Sequence, residues 1–305
     1  MATAGALLGL IVGVLLAFAG GEALTRGSRA LIAPAAAGAA VFVAILASAL
    51  PEFAFAMRAA QLDLPGAALG AVAGSFVANA FIAALVAATG AEDEARGGRT
   101  FAVGSAIAAG ALLFVAFDGQ ITRVEGGVML LGALVAAVRA ARLEVKAEAL
   151  EGPGIGGVPA LGLIVIGLLL VGGGTWLAIN ELQTWAAGRA DGDLLAGLTM
   201  LGAGAALPEI AAATVAARKG CGARGFVNVV VGTTLTLFGA IGAAALVRPL
   251  AVSDAFMTGP AIAVAAAAVV LLAVGAARRR LPRAVAWAGV AAWLCAMGAF
   301  AWGAA

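Results

Sequence analysis

The chain has 305 residues, of which 64% are hydrophobic and 11% are charged, and its 18 basic residues nearly balance 16 acidic ones. Soluble domains carry about a quarter charged residues, so this composition excludes a soluble globular protein. The sequence has no histidine, which excludes imidazole metal ligands and histidine acid–base catalysis. Its two cysteines lie in a short basic loop and in an apolar run, a pattern that indicates neither a disulfide framework nor a zinc site.

Uncharged apolar segments recur from one end of the chain to the other, and a helix that crosses a bilayer needs about 20 such residues. In chain order they predict ten transmembrane helices, at 5–24, 34–61, 66–89, 100–117, 121–138, 158–179, 193–217, 225–247, 255–276 and 284–303. The sequence therefore predicts an all-α polytopic membrane protein that forms a single membrane domain over residues 1–305.

Basic residues are divided unequally between two sets of loops. The loops after odd-numbered spans hold fourteen Lys and Arg residues, whereas the loops after even-numbered spans hold four. Because cytoplasmic loops retain positive charge, we expect a multi-pass protein of the cell membrane with both termini outside the cytoplasm. Clusters such as 278–280 lie in short loops and are interpreted as topology determinants, not as contacts to nucleic acid.

A polar stretch near residues 139–157 divides the chain into two sets of five spans. It predicts a first repeat over about 1–140, a cytoplasmic linker over about 141–157 and a second repeat over 158–305. An odd number of spans in each half requires the second half to enter the membrane upside down relative to the first. Inverted repeats of this kind are typical of secondary transporters.

The two halves share a local sequence motif in the same order. Residues 48–53, Ser-Ala-Leu-Pro-Glu-Phe, correspond to residues 205–210, Ala-Ala-Leu-Pro-Glu-Ile. In the following span of each half, Gly-Ser at 74–75 corresponds to Gly-Thr at 232–233. The shared order and the nearly equal spacing predict that spans 2 and 7, and spans 3 and 8, occupy equivalent places in the two repeats.

Only Pro51 and Pro208, of nine prolines, lie deep within predicted spans. Proline lacks an N–H donor and clashes with the carbonyl four residues back, so we expect spans 2 and 7 to be broken at these positions. The carbonyls of Ala47 and Gly204 lose their usual donors, which hydrocarbon tolerates only where they are buried or face water or an ion.

A glutamate follows each of these prolines, although a charged residue inside a membrane costs about 2.5 kcal/mol or more. Because this cost is incurred twice, at equivalent positions of the two halves, we predict that Glu52 and Glu209 have a function. Ser75 and Asn79 lie near the middle of span 3, one helical turn apart, and so share a face. Thr233 has the corresponding place in span 8.

These motifs resemble the membrane region of sodium/calcium exchangers in the calcium:cation antiporter superfamily. The resemblance lies in Leu-Pro-Glu of spans 2 and 7, Gly-Ser with Asn79 in span 3, and Gly-Thr in span 8. It implies a secondary antiporter that exchanges Ca²⁺ for Na⁺ or H⁺ by alternating access. It implies no enzymatic activity, no cofactor and no obligatory protein partner, with inorganic cations and the bilayer as the partners.

The resemblance also implies a single central cluster of cation ligands. Side-chain oxygens would come from Glu52, Glu209, Asn79, Ser75, Thr233 and Ser48, and backbone carbonyls from Ala47 and Gly204. Ca²⁺ takes six to eight oxygen ligands, so these residues suffice for one divalent ion with some water. Leu237 stands where the family often carries Asp or Asn, and Ala205 and Ala206 stand where it usually carries hydroxyls.

Three other functions remain open at this point. A ten-span exporter of organic solutes would share the inverted repeats without requiring the paired Pro-Glu motifs. A degenerate, non-transporting family member would account for Leu237 and the alanines beside both glutamates. An intramembrane hydrolase would use two carboxylates on one water, but no predicted span core contains Asp or His.

Overall fold

The computed structural model describes residues 2–31, 37–87, 98–144, 157–207, 209, 213 and 222–276. Its helices are α1 (Ala2–Leu31), α2 (Ala37–Gln61), α3 (Pro65–Ala87), α4 (Gly98–Ala116), α5 (Arg123–Glu144), α6 (Gly157–Ala186), α7 (Gly192–Leu207), α8 (222–247) and α9 (Asp254–Ala276). Two short strands, β1 (Gln120–Ile121) and β2 (Leu250–Ala251), pair antiparallel. Single π-helical turns lie within α7 at Gly197–Leu201 and within α8 at Thr236–Ala240.

Among the described residues, seven helices are long and apolar enough to cross a membrane: α1, α3, α4, α5, α6, α8 and α9. A helix is the expected form, because in lipid every backbone polar group must be satisfied within the segment. The prediction of an all-α multi-pass membrane protein is therefore confirmed. The tenth predicted span, 284–303, most of the linker (145–156) and most of the end of span 7 lie outside the described residues, so ten spans in two inverted repeats remain a prediction.

Two helices form the centre of the bundle. The most apolar windows of α3 and α8 are 83% and 78% buried, whereas no other spanning helix exceeds 44%. α3 packs against α2, α7 and α8, and α8 also contacts α4 and α5. The polar residues predicted on spans 3 and 8 therefore lie on the helices that are most shielded from lipid.

α1 and α6 extend beyond their predicted ends. The sequence places span 1 at 5–24 and span 6 at 158–179, but the helices continue to Leu31 and Ala186. In α1 the charged residues that marked the predicted end, Glu22 and Arg26, are one turn apart and form an exposed 2.6 Å ion pair. Such a pair stabilises a helix instead of ending it.

Glycines bring α1 and α6 into close antiparallel contact. A methyl group at Gly13 would lie 2.7 Å from the carbonyl oxygen of Gly174, and one at Gly20 would lie 2.6 Å from that of Gly167. Gly13 and Gly20 are seven residues apart, which keeps them on the same helix face. Small residues at such seams allow membrane helices to pack backbone against backbone.

This packing predicts different responses from adjacent glycines of the Gly172–Gly174 run. Gly174→Leu should lower stability by about 1–3 kcal/mol, because the side chain has no space against α1. Gly173→Leu is the matched control, since nothing lies within 4 Å of a methyl group at Gly173. Thermal unfolding of both purified variants would check this, and equal melting temperatures would contradict the assigned seam.

Several loops gather at one face of the bundle. The loops after α4 and α8 pair through β1 and β2, with Gln120 opposite Ala251. The carboxylate of Asp63, after α2, forms a 2.9 Å salt bridge with Arg248, after α8. We call this side, which carries β1 and β2, the strand face.

The starts of α3 and α7 also meet at the strand face. Asp193, in the first turn of α7, accepts a 3.3 Å hydrogen bond from the backbone N–H of Ala67 in the first turn of α3. Gly66 leaves space for that carboxylate, because a methyl group there would lie 2.6 Å from the Asp193 oxygen. Loops after even-numbered spans therefore share one face, as an alternating path across a membrane requires.

The charge bias predicts that the strand face lies outside the cytoplasm. In a background with Cys221→Ser and Cys295→Ser, a membrane-impermeant thiol reagent added to intact cells should label Gln120→Cys and Asp191→Cys. It should label Arg142→Cys, or a cysteine introduced within 218–224, only after permeabilisation. The reverse labelling pattern would contradict the predicted orientation.

Candidate cation site

Glu52 lies on the buried side of α2. Its side chain is only 6% exposed, and its Oε2 atom is buried with no hydrogen-bond partner. Pro51 packs against α1, where a methyl group at Gly21 would lie 2.8 Å from the proline Cγ. The close approach of α1 and α2 therefore helps to hold this part of α2 within the bundle.

α2 continues through Pro51 without a break, which corrects the predicted interruption of span 2. Proline removes only one backbone donor, and the hydrogen bonds on either side keep the helix together. The carbonyl oxygen of Ala47 lies beside α1, 3.7 Å from the position of a methyl group at Gly21. Pro208 lies outside the described residues, so the predicted break in span 7 stays a prediction.

Glu209 follows the end of α7 and is half-buried. Its Oε1 atom lies 3.3 Å from the position of a methyl group at Gly232 on α8, and its Oε2 atom is buried without a hydrogen-bond partner. The carboxylates of Glu52 and Glu209 lie close enough for their negative charges to repel each other. The structure thus brings together the two glutamates that the repeated motif singled out.

α3 contributes neutral oxygens in the core of the bundle. Ser75 and Asn79 are 1% and 2% exposed, and the Asn79 Nδ2 atom lies 3.5 Å from the Ser75 hydroxyl. The Asn79 Oδ1 atom is buried without a partner. Close packing holds this segment in place, because a methyl group at Gly202 of α7 would lie 3.0 Å from the Ser75 backbone nitrogen.

Within the described residues, four buried side-chain oxygens lack hydrogen-bond partners, and three of them belong to residues of the predicted site: one each on Glu52, Glu209 and Asn79. The fourth is the hydroxyl of Thr175 on α6. Burying such groups without a partner is costly, and carboxylate and amide oxygens are the kind of ligand that Ca²⁺ binds. Among the described residues, no group of three or more His, Cys, Asp or Glu side chains is placed to hold a metal. Carboxylates therefore supply at most two charges here, and any further ligands are neutral.

Thr233 is buried beside Gly232, and its hydroxyl donates a 2.9 Å hydrogen bond to the carbonyl of Val230. Because its proton is used within its own helix, its oxygen lone pairs remain available as acceptors. Leu237, one turn later, lies in the π-helical turn of α8 and is fully buried. Isolated π turns of this kind are frequent at functional sites.

The other predicted ligands have different environments. Ser48 is exposed and donates a 2.8 Å hydrogen bond to the carbonyl of Ile45, so it lies outside the buried group. Gly204 is buried and packs against Val14 of α1. Neither Ser48 nor Gly204 is brought into contact with the two glutamates by any interaction of the described residues.

A second buried polar cluster, which the sequence pattern did not indicate, lies on α4 and α8. The Ser105 hydroxyl lies 2.7 Å from that of Thr234 and donates a 3.1 Å hydrogen bond to the carbonyl of Val230. This carbonyl also accepts from Thr233 and Thr234. The signal was present as a serine within the uncharged run of span 4, which pattern reading alone does not distinguish from a packing residue.

Residues 159–302 match the family model described as sodium/calcium exchanger protein. The resemblance to this family is confirmed. The matched region coincides with the predicted second repeat, and thus includes Glu209, Gly232 and Thr233.

Solved structures share the fold over nearly the whole chain. The sodium-calcium exchanger NCX_Mj, soaked with Na⁺ and Sr²⁺, is 19% identical, with 97% of this chain and 99% of that chain covered and a TM-score of 0.61. The H⁺/Ca²⁺ exchanger CAX is 15% identical, with 97% of this chain and 88% of that chain covered and a TM-score of 0.64. Among curated proteins, none matches the chain.

Proposed function

We propose that this membrane protein is a secondary cation antiporter that exchanges Ca²⁺ for Na⁺ or H⁺ by alternating access around Glu52 and Glu209. The observation that carries the proposal is the pair of glutamates inside the helical bundle, each with a buried, unpartnered oxygen and close enough for their charges to repel. Intramembrane carboxylates in such positions typically mark ion pathways. The family match and the exchanger folds support the same function.

The charge of the site limits what it carries at one time. Two carboxylates balance one divalent cation or two monovalent cations, and the repulsion between the empty carboxylates favours occupancy by one of these sets. Ser75, Asn79 and Thr233 supply neutral oxygens of the kind that Ca²⁺ accepts. We propose that the two sets occupy the site alternately, while two inverted five-helix repeats move relative to each other.

A flux measurement tests this function. Purified protein in liposomes should accumulate ⁴⁵Ca²⁺ when an outward gradient of Na⁺ or of H⁺ is imposed, and not without a gradient. Comparing the two gradients identifies the counter-ion. Calcium uptake equal to that of protein-free liposomes under both gradients would contradict the proposal and favour a degenerate family member or an exporter of organic solutes.

A further inference from the structure

An apolar cavity of about 410 Å³ lies at the side of the bundle, between α2, α5 and α8. All of its lining residues are leucine, phenylalanine, alanine or glycine, and they include Leu46, Phe53, Gly127, Leu131, Leu134 and Leu246. We call it the lateral groove. With only apolar side chains in its wall, it offers no hydrogen bond to a polar solute.

The lateral groove is accessible from the lipid side of the bundle. Leu131 and Leu134 of α5 are 64% and 48% exposed, and Leu246 of α8 is 42% exposed. Gly127 leaves one end of the groove open, because the nearest atom to a methyl group there would be a Leu246 side-chain carbon 4.0 Å away. In a protein that spans a bilayer, the apolar molecules that reach such a surface are lipid chains.

A positive charge marks one end of the groove. Arg123 is exposed, begins α5 and lies one turn before Gly127, on the helix face that continues through Leu131 and Leu134. Its guanidinium donates a 3.4 Å hydrogen bond to the carbonyl of Val247, next to the groove residue Leu246. The position of Arg123 on α5 and this hydrogen bond both place the guanidinium at the strand-face end of the groove.

Nearby acidic groups are engaged elsewhere. Asp63 forms its salt bridge with Arg248, and the Glu125 carboxylate accepts 2.7 Å hydrogen bonds from the backbone N–H and hydroxyl of Thr122. In the part of the chain that the structure describes, no carboxylate forms an ion pair with Arg123. Its charge is therefore available to an anion at the membrane surface.

We propose that the lateral groove binds one acyl chain of an anionic glycerophospholipid whose phosphate contacts Arg123. The dimensions agree, because the eleven residue steps from Arg123 to Leu134 rise about 16 Å along α5, close to the roughly 15 Å depth of one leaflet of the hydrocarbon core. The lipid belongs to the leaflet at the strand face. This site is separate from the antiport proposal, since it depends only on the membrane-spanning fold.

Native mass spectrometry of the purified full chain tests the site with two lipids of identical acyl chains, phosphatidylglycerol and phosphatidylcholine. The wild-type protein should retain one phosphatidylglycerol with about fivefold preference over phosphatidylcholine, as one arginine at a membrane surface predicts. Arg123→Gln should remove this preference, whereas Arg142→Gln, at the opposite end of α5, should keep it.

A second variant tests the groove itself. Gly127→Leu places a side chain in the groove and should reduce retention of both lipids, whereas Gly110→Leu on α4, where nothing lies within 4 Å of a methyl group, should not. Equal retention of the two lipids by the wild-type protein, or equal losses in Gly127→Leu and Gly110→Leu, would overturn the proposal. Because Arg123 is exposed, the headgroup comparison stands even if Gly127→Leu fails to fold.

Discussion

Replacing either Glu52 or Glu209 by glutamine is expected to abolish coupled calcium flux while leaving a folded protein. Each substitution removes one of the two charges that offset a divalent ion. At about 4 Å and an effective dielectric constant of 20, two unit charges interact by about 4 kcal/mol, and a carboxylate and a divalent ion by about 8 kcal/mol. Even the smaller value corresponds to roughly a thousandfold in affinity. Glutamine keeps the size of the side chain and one carbonyl oxygen, so the packing around each residue should change little.

The measurement is ⁴⁵Ca²⁺ uptake in proteoliposomes, together with thermal unfolding of each purified variant. Glu181→Gln is the matched control, because Glu181 lies at the end of α6 beside Gly9 of α1, away from the paired glutamates. Its uptake should equal that of the wild-type protein. Transport at the wild-type rate in Glu52→Gln or Glu209→Gln would show that the carboxylates have a structural role.

Leu237→Asp is expected to give tighter and more strongly pH-dependent cation binding than the wild-type protein. Leu237 is buried on the π-helical turn of α8, one turn after Thr233 and in the place that corresponds to Asn79 in the first repeat. A third carboxylate would allow the site to hold a calcium ion together with a monovalent ion. Repulsion among three carboxylates in the empty site would make protons stronger competitors for it.

Calorimetry with calcium and with sodium at several pH values measures this effect on folded protein. Leu237→Asn is the matched control, because it introduces a polar group of similar size without a charge. The aspartate variant should also gain more thermal stability from added cations than the wild-type protein does, since ligands stabilise the state that binds them. Unchanged affinity for both ions at every pH would mean that Leu237 does not face a cation site.

The sequence predicted the residues of the site because charged and polar side chains inside an apolar span are energetically unfavourable and therefore indicate a function. Glu52 and Glu209 were found from a repeated motif that puts a charge beside a proline inside a membrane, and the structure places them near each other. Ser75, Asn79 and Thr233 were found as central polar residues and are all buried. In each case the cost of a polar group in hydrocarbon supplied the signal.

The local backbone was less well predicted. The expected break at Pro51 does not occur, because the loss of one donor is compatible with a continuous helix when the remaining hydrogen bonds hold. Ser48 shares the motif with Glu52, yet it is exposed and bonded to its own helix. Ser105 was overlooked, because its partner Thr234 lies 129 residues away in sequence.

Composition and hydropathy by themselves determined that the chain is a helical membrane protein, because burial in lipid leaves a long apolar segment no alternative to internal hydrogen bonding. They also determined where charge would be costly enough to imply a function. Only the tertiary structure decided which helices are central, how α1 and α6 approach through glycine, and which oxygens remain unpartnered. These features depend on contacts between residues that are distant in sequence, and a hydrophobic pattern indicates that a face is buried without specifying what buries it.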